Sequence, residues 1–391
     1  MKIKKFLPLI LICVFMSGCW DKVEIDKQSF ISTIAIDKGK EINKEKELIN
    51  IKPGDTFLEE KIKKLYITYG FPDISELGPG KSNVLKEKSI SVDAYSMDNG
   101  IQEATAKSSR SIRFGHTKLL ILGSELLQYP NTIKEVIDYL DRQPSLNRNM
   151  ITMVAKGTAE DYVKFIPAME SNIENYIIGL AENNKNTMMK PLTLKEVLTS
   201  LINNDENVLI PTMELDKVKN ELSLVGTSII KNYKIIGNLD KSQSYNVQLI
   251  KGDIKGGNKV IYINGHPINF SIYNIKRKIK MDNSKNKIKF NIDLEMEGQL
   301  KQSYVGNELF YKDSIQAVEN NLNKTIKKEC EETFRVVQKQ YNVDVFGLGD
   351  YMKKFHPYTW KKFKGNWDEV FNNVDINVNV NFKVRRVGVI K

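Results

Sequence analysis

The carboxy-terminal stretch VDINVNVNFKVRR sets the tightest limit on the fold. In it Val374, Ile376, Val378, Val380, Phe382 and Val384 alternate strictly with polar or charged residues. A period of two places every apolar side chain on one face of a strand, so one face must be covered and the other wet. Ile288, Phe290, Ile292, Leu294 and Met296 repeat the pattern, and the turn-rich run Asp282 to Asn286 separates them from a third long stretch, Ile268 to Lys280. A cover is available between Ser314 and Tyr341. There Ile315, Val318, Leu322, Ile326, Cys330, Phe334, Val337 and Tyr341 form one helical stripe. These patterns predict an α+β carboxy-terminal domain, an antiparallel sheet packed on a long helix 314–341.

Upstream, strand and helix patterns alternate. Ser29–Asp37, Leu65–Phe71, Ser89–Tyr95 and Ile151–Ala155 read as strands, and the apolar run Lys118–Leu122 reads as a central buried one. Lys40–Glu47 reads as a turn. Helical patterns cover about 100–109, 132–142, a short stretch from Thr158, 170–182 and 194–202. Two of them open on capping boxes, Thr132 with Glu135 and Thr193 with Glu196. From Leu222 the run LSLVGTSII, the turn Lys231–Lys234 and IIGNLD predict a hairpin leading into a helix near 242–250. The mixed α/β chain thus divides into a signal segment 1–18, an N-terminal domain 19–190, a helical middle segment or small second domain 191–221 and a C-terminal domain 222–391.

Residues 1–18 carry Lys2, Lys4 and Lys5, then an apolar run from Phe6 to Phe15. Ten apolar residues fall short of the about 20 a bilayer span needs, so this is an export signal and a polytopic membrane protein is excluded. Ser17-Gly18-Cys19 follows, and small residues directly before a Cys suit a lipoprotein signal peptidase. Cys19 is therefore the expected lipidation site, holding the chain to the bilayer through diacylglycerol. Cleavage removes 18 residues with Cys13 and three of the lysines, leaving 373 residues at a formal charge of +8 and Cys330 as the one free thiol. A single thiol forms no intramolecular disulfide, and its place on the helical stripe makes it a core residue. No Gly/Ser tether follows Cys19, so the first domain sits close to the membrane. Trp20, Asp21, Glu24 and Ile25 become the candidate docking residues for membrane-resident partners.

The whole-chain formal charge is +11, spread along the sequence, and no motif pairs it with nucleic acid. Three His and three Cys are too few and too scattered for a metal site. GPGKS at 78–82 fails as a phosphate loop, because Ser75 stands where that loop needs Gly. His116, His266 and His356 have no Ser or carboxylate at a triad spacing, and neither GxSxG nor HExxH occurs. No catalytic residue and no cofactor is expected.

Several segments, in order along the chain, resemble one family, the Ger(x)C lipoproteins of nutrient germinant receptors in bacterial endospores. They are Gly18-Cys19-Trp20-Asp21 with Glu24-Ile25, Ile34 to Lys38, Phe114-Gly115-His116 with Lys118 to Gly123, Tyr139 to Arg142, and Val154 to Gly157. The second half adds Val225 to Ser228 with Ile235-Ile236-Gly237, then Asp344 to Gly349, Pro357, Trp360 and Trp367. The resemblance implies a non-catalytic, three-domain, membrane-anchored subunit. It would act with two integral membrane subunits, A and B, on the outer face of the spore inner membrane during the response to nutrients. A rival reading is the solute-binding lipoprotein of a transporter. The missing tether and the antiparallel C-terminal half count against that reading.

Overall fold

A computed structural model describes residues 24, 27–48, 52, 54, 62–73, 87–168, 170–184, 190–203, 207–263, 265–284, 287–302 and 312–387. The chain enters through β1 (Gln28–Phe30) and β2 (Thr33–Lys38), makes one helical turn, α1 (Glu45–Leu48), and returns as the antiparallel β3 (Leu65–Pro72) and β4 (Glu87–Ala94). Next come α2 (Met97–Ala106), β5 (Ser111–Arg113), which pairs in parallel with β1, and β6 (Leu119–Gly123). They are followed by α3 (Pro130–Arg142), β7 (Ile151–Ala155), α4 (Ala159–Val163), α5 (Ile173–Asn184), β8 (Leu192–Thr193) and α6 (Leu194–Asn203). Then β9 (Asn207–Asp216), β10 (Glu221–Lys231) and β11 (Lys234–Asp240) run as a meander.

Nine of these strands form one sheet in the order β11-β10-β9-β7-β6-β2-β3-β4, with β8 added beside β7. The sheet is continuous from β4 to β11, so residues 191–221 and the hairpin after 222 add strands to the sheet begun at Thr33. β6 is buried along its whole length, because helices cover both faces of the sheet at its centre. One face packs against α2, α3 and α6, and the other against α4, α5 and the carboxy-terminal layer. β2, β6, β7 and β9 run parallel and so begin at one common edge.

Local chemistry decides where elements start. Thr193 and Glu196 form the expected capping box: the Glu196 carboxylate accepts from the Thr193 amide at 2.9 Å, and the Glu196 amide donates to the Thr193 hydroxyl at 3.3 Å. Thr132 and Glu135 do not. α3 begins earlier with Pro130 in its first turn, the Thr132 hydroxyl donates to Glu45 at 2.6 Å, and Glu135 pairs with Lys64. Lys40–Glu47, expected as a turn, holds a 3₁₀ turn and α1, because Ile42 is apolar and is drawn into the core. Asn232 and Tyr233, at φ of 51° and 62°, make the two-residue turn between β10 and β11. Gly226 bulges β10 at φ 149°, where a Cβ would lie 1.9 Å from the Leu239 carbonyl oxygen.

The C-terminal region starts with α7 (Lys241–Lys251), closed by Asp240 at its front and by left-handed Gly252 at its back. A four-stranded sheet follows, β12 (Gly257–Ile263), β13 (His266–Ser284), β14 (Lys287–Gln302) and, last, β15. Between β14 and β15 lie α8 (Lys312–Val336), continued by a π-helical turn to Tyr341, then α9 (Leu348–Phe355), α10 (Pro357–Phe363) and α11 (Trp367–Phe371). The long helical return brings β15 (Asp375–Val387) back parallel to β14, while β12 to β14 are antiparallel. The expected stripe packs on this sheet: Leu322, Ile326, Cys330 and Phe334 are buried, and Val378 and Phe382 of β15 are fully covered. Burial pushes the Cys330 thiol up to about 12, so it packs as a small hydrophobe.

Candidate functional site

Three of the segments singled out in the N-terminal half meet at one side chain. Asp37, at the end of β2, is buried, and its carboxylate accepts from the amides of Ala159 at 2.7 Å and Glu160 at 2.9 Å. Those amides open α4, whose own cap residue, Thr158, contributes no side-chain bond. The cap is therefore supplied from 122 residues away. Gly123 makes room for it, since a Cβ there would lie 2.2 Å from Asp37 Oδ1. Gly157, at φ 91°, turns the chain from β7 into α4. Desolvation raises the Asp37 carboxyl to about 6, although both amide bonds oppose the shift.

The segment Asp344–Gly349 with Trp360 and Trp367 closes on a second carboxylate, half-buried at the margin of an open cleft. Asp344 accepts from the amides of Phe346 (3.1 Å), Leu348 (3.2 Å) and Gly349 (2.7 Å), and from the Trp367 indole at 3.1 Å. Burial pushes its carboxyl above the ordinary range against these four donors. Gly347, at φ 72°, bends the backbone around the carboxylate. A Cβ on Gly349 would sit 2.9 Å from the Trp367 indole nitrogen. Trp360 meets Trp367 edge to face, with ring centroids 5.4 Å apart. Asp37 and Asp344 thus hold loops and helix starts in place, which is structural work.

The open space next to Asp344 is a cleft of about 1290 Å³ along the edge where the parallel strands begin. One wall is the lead into α6, with Lys190, Thr193 and Lys195, and the start of β9 at Asn207. The other is α9 and α10, with Lys353, Trp360 and Lys361, and Lys364 just beyond. Lys190 pairs with Glu196 at 2.6 Å, whereas Lys195, Lys353, Lys361 and Lys364 are exposed and outside any ion pair among the described residues. Glu196, Asp253, Asp344 and Asp350 line the same cleft, so lysines and carboxylates share its walls. No group of three or more metal-ligating side chains lies together among the described residues.

Of the expected docking residues, Glu24 is exposed and pairs with Lys27 at 3.3 Å. Cys19, Trp20, Asp21 and Ile25 lie outside the described residues, as do the segment 1–18 and GPGKS at 78–82. His116 is exposed and meets Phe30 edge to face at 5.1 Å. The positive charge is not evenly spread. The run KKFHPYTWKKFK, Lys353 to Lys364, was the available signal for the cationic corner, but a charge count over the full chain dilutes it. Among the described residues no helix is long and apolar enough to cross a membrane.

Comparison with known proteins accounts for nearly the whole chain. Residues 21–215 match the family model described as the spore germination protein N-terminal domain, and residues 225–388 match spore germination B3/GerAC like, C-terminal. Spore germination protein YndF of Bacillus subtilis (strain 168) is 27% identical over 418 residues, covering 100% of this chain and 99% of the relative. Spore germination protein A3 of the same organism is 28% identical over 393 residues, covering 99% and 98%. The crystal structure of the GerBC protein has a TM-score of 0.59 at 25% identity, and the match covers 82% of this chain and 93% of that one.

Proposed function

Because the chain belongs to the GerAC family of spore germination proteins, we propose that it is the lipid-anchored C subunit of a nutrient germinant receptor. In this role it works through contacts with integral membrane A and B subunits on the outer face of the spore inner membrane. The observation that carries this reading is the pair of family models matched in order, across residues 21–215 and 225–388, with relatives aligned over almost their full length. Family membership places the protein with membrane-associated, non-enzymatic germination proteins. The carboxylates at 37 and 344 both accept from backbone amides and so hold the fold together.

Cys19 is the proposed attachment point, through a diacylglycerol, and the residues just after it, Trp20, Asp21, Glu24 and Ile25, are the proposed contact with the membrane subunits. Acyl chains contribute about 0.8 kcal/mol per buried methylene, so losing them abolishes retention. Spores producing Cys19→Ala are expected to show no fatty-acid label on this chain and to release it from membranes. Spores producing the double variant Asp21→Ala, Glu24→Ala are expected to keep label, fold and retention but respond poorly to nutrients. Full labelling of the Cys19 variant overturns the anchor. A normal nutrient response in the double variant overturns the contact surface.

A further inference from the structure

We propose that the α9–α10 corner is a second membrane contact, in which its lysines meet anionic lipid headgroups and Phe355 and Tyr358 enter the headgroup layer. From Tyr351 to Asn366 the chain holds five lysines and no carboxylate. Lys353, Lys354, Lys361, Lys362 and Lys364 are all exposed, and none is in an ion pair among the described residues. The next acidic side chain along the sequence, Asp368, is held by Lys231 at 2.6 Å. At the tip of this cluster Phe355 is 57% exposed and Tyr358 84%. Asp350, one turn before Lys353 and Lys354, is the one carboxylate on α9 and α10, so lysines outnumber it five to one, and exposed aromatic rings beside such an excess are the composition of a surface that lies on an anionic bilayer.

A protein partner fits this corner less well. Protein interfaces favour arginine and deplete lysine, and the corner has five lysines and no arginine. Lysines on flexible stems suit a diffuse, laterally mobile charge such as a headgroup layer. The placement agrees as well. The cleft beside α9 and α10 opens at the edge where β2, β6, β7 and β9 begin, and the chain enters the fold at that same edge through β1 and β2. Two strands separate β2 from β9, which sets their starts about 14 Å apart across the sheet. An anchor a few residues before Glu24 therefore turns this edge to the bilayer. That co-facing placement rests on the Cys19 anchor proposed above, whereas the lysine and aromatic pattern does not depend on it.

The test uses the lipidated mature chain in vesicles, with Tyr358→Cys carrying a polarity-sensitive fluorophore. Cys330 does not compete for the label, being fully buried with its thiol pushed up to about 12. The control is Val218→Cys, 96% exposed in the β9–β10 turn at the opposite edge of the sheet. In vesicles rich in phosphatidylglycerol the label at 358 is expected to report an apolar environment, lost in pure phosphatidylcholine and reversed by high salt, while the label at 218 stays in water throughout. Replacing Lys353, Lys361 and Lys364 by Gln is expected to lower the docked-to-undocked ratio about a hundredfold, at about fivefold per lysine. A label at 358 that stays in water on both membranes overturns the proposal, as does one that changes only when the integral membrane subunits are present. Fatty-acid labelling of the same sample separates this failure from failure of the anchor.

Discussion

Asp344→Ala is expected to destabilise the C-terminal half by about 4 kcal/mol, the largest effect of any single substitution considered for this chain. The variant leaves the amides of Phe346, Leu348 and Gly349 and the indole of Trp367 without their acceptor. Each buried donor left unpaired costs about 1–3 kcal/mol, and partial entry of water from the adjacent cleft offsets some of the sum. Asp344→Asn keeps one acceptor oxygen and is expected to lose about half as much. Two of the chain's three tryptophans, Trp367 and its edge-to-face partner Trp360, lie at this loop, so most of the emission follows it during urea unfolding. A midpoint unchanged in the alanine variant would show that the carboxylate does not hold this loop.

The second large effect is a pH dependence. Burial raises the Asp37 carboxyl from 3.8 to about 6 in the folded chain. Below pH 3.8 both folded and unfolded chains hold the proton. Between 3.8 and 6 only the folded chain holds it, so stability falls as pH rises through this window, by about 3 kcal/mol in all, and the loss is complete above pH 6. Asp37→Asn cannot ionise. Its stability is expected to decline about 2.5 kcal/mol less than that of the unaltered chain between pH 4 and pH 7, whatever the amide costs in lost capping of α4. Subtracting the two urea-midpoint profiles removes the contribution of Glu87, whose carboxyl burial also raises. Parallel profiles would contradict the burial of charge at Asp37.

What the sequence makes legible is what local periodicity encodes. Strict alternation marks β14 and β15, the stripe through Leu322, Cys330 and Phe334 marks α8, and the apolar run before Gly123 marks the central β6. The Thr193 and Glu196 box is legible because both partners lie within one turn. Long-range partners are another matter. Thr132 and Glu135 match the same box, yet Glu45 and Lys64 claim them from 87 and 71 residues away, and no spacing rule carries that competition. The capping of α4 by Asp37 is hidden for the same reason. Alternation also fixes which face of a strand is buried without fixing its direction. β15 looks like any antiparallel strand until the α8–α11 return turns it parallel to β14.

The family segments acquire physical meaning on the same terms. Ile34 to Lys38, Lys118 to Gly123 and Val154 to Gly157 are distant in sequence but supply one helix cap, the glycine that admits it and the turn before it. Gly237 lets the end of the long helix close on β11, since a Cβ there would overlap the Tyr341 ring at 2.0 Å. These residues maintain the shape of the subunit. The proposed contact surfaces lie elsewhere, at Glu24 and on the lysine-rich corner, where composition is the available sequence signal.

The assignment as a germinant receptor subunit is tested most directly in spores lacking the gene for this chain. Their nutrient-triggered germination is expected to fall while germination by a non-nutrient trigger persists, and a copy encoding the unaltered chain is expected to restore the response. Spores that lack the chain and still germinate at the parental rate on every nutrient the parent answers would contradict it.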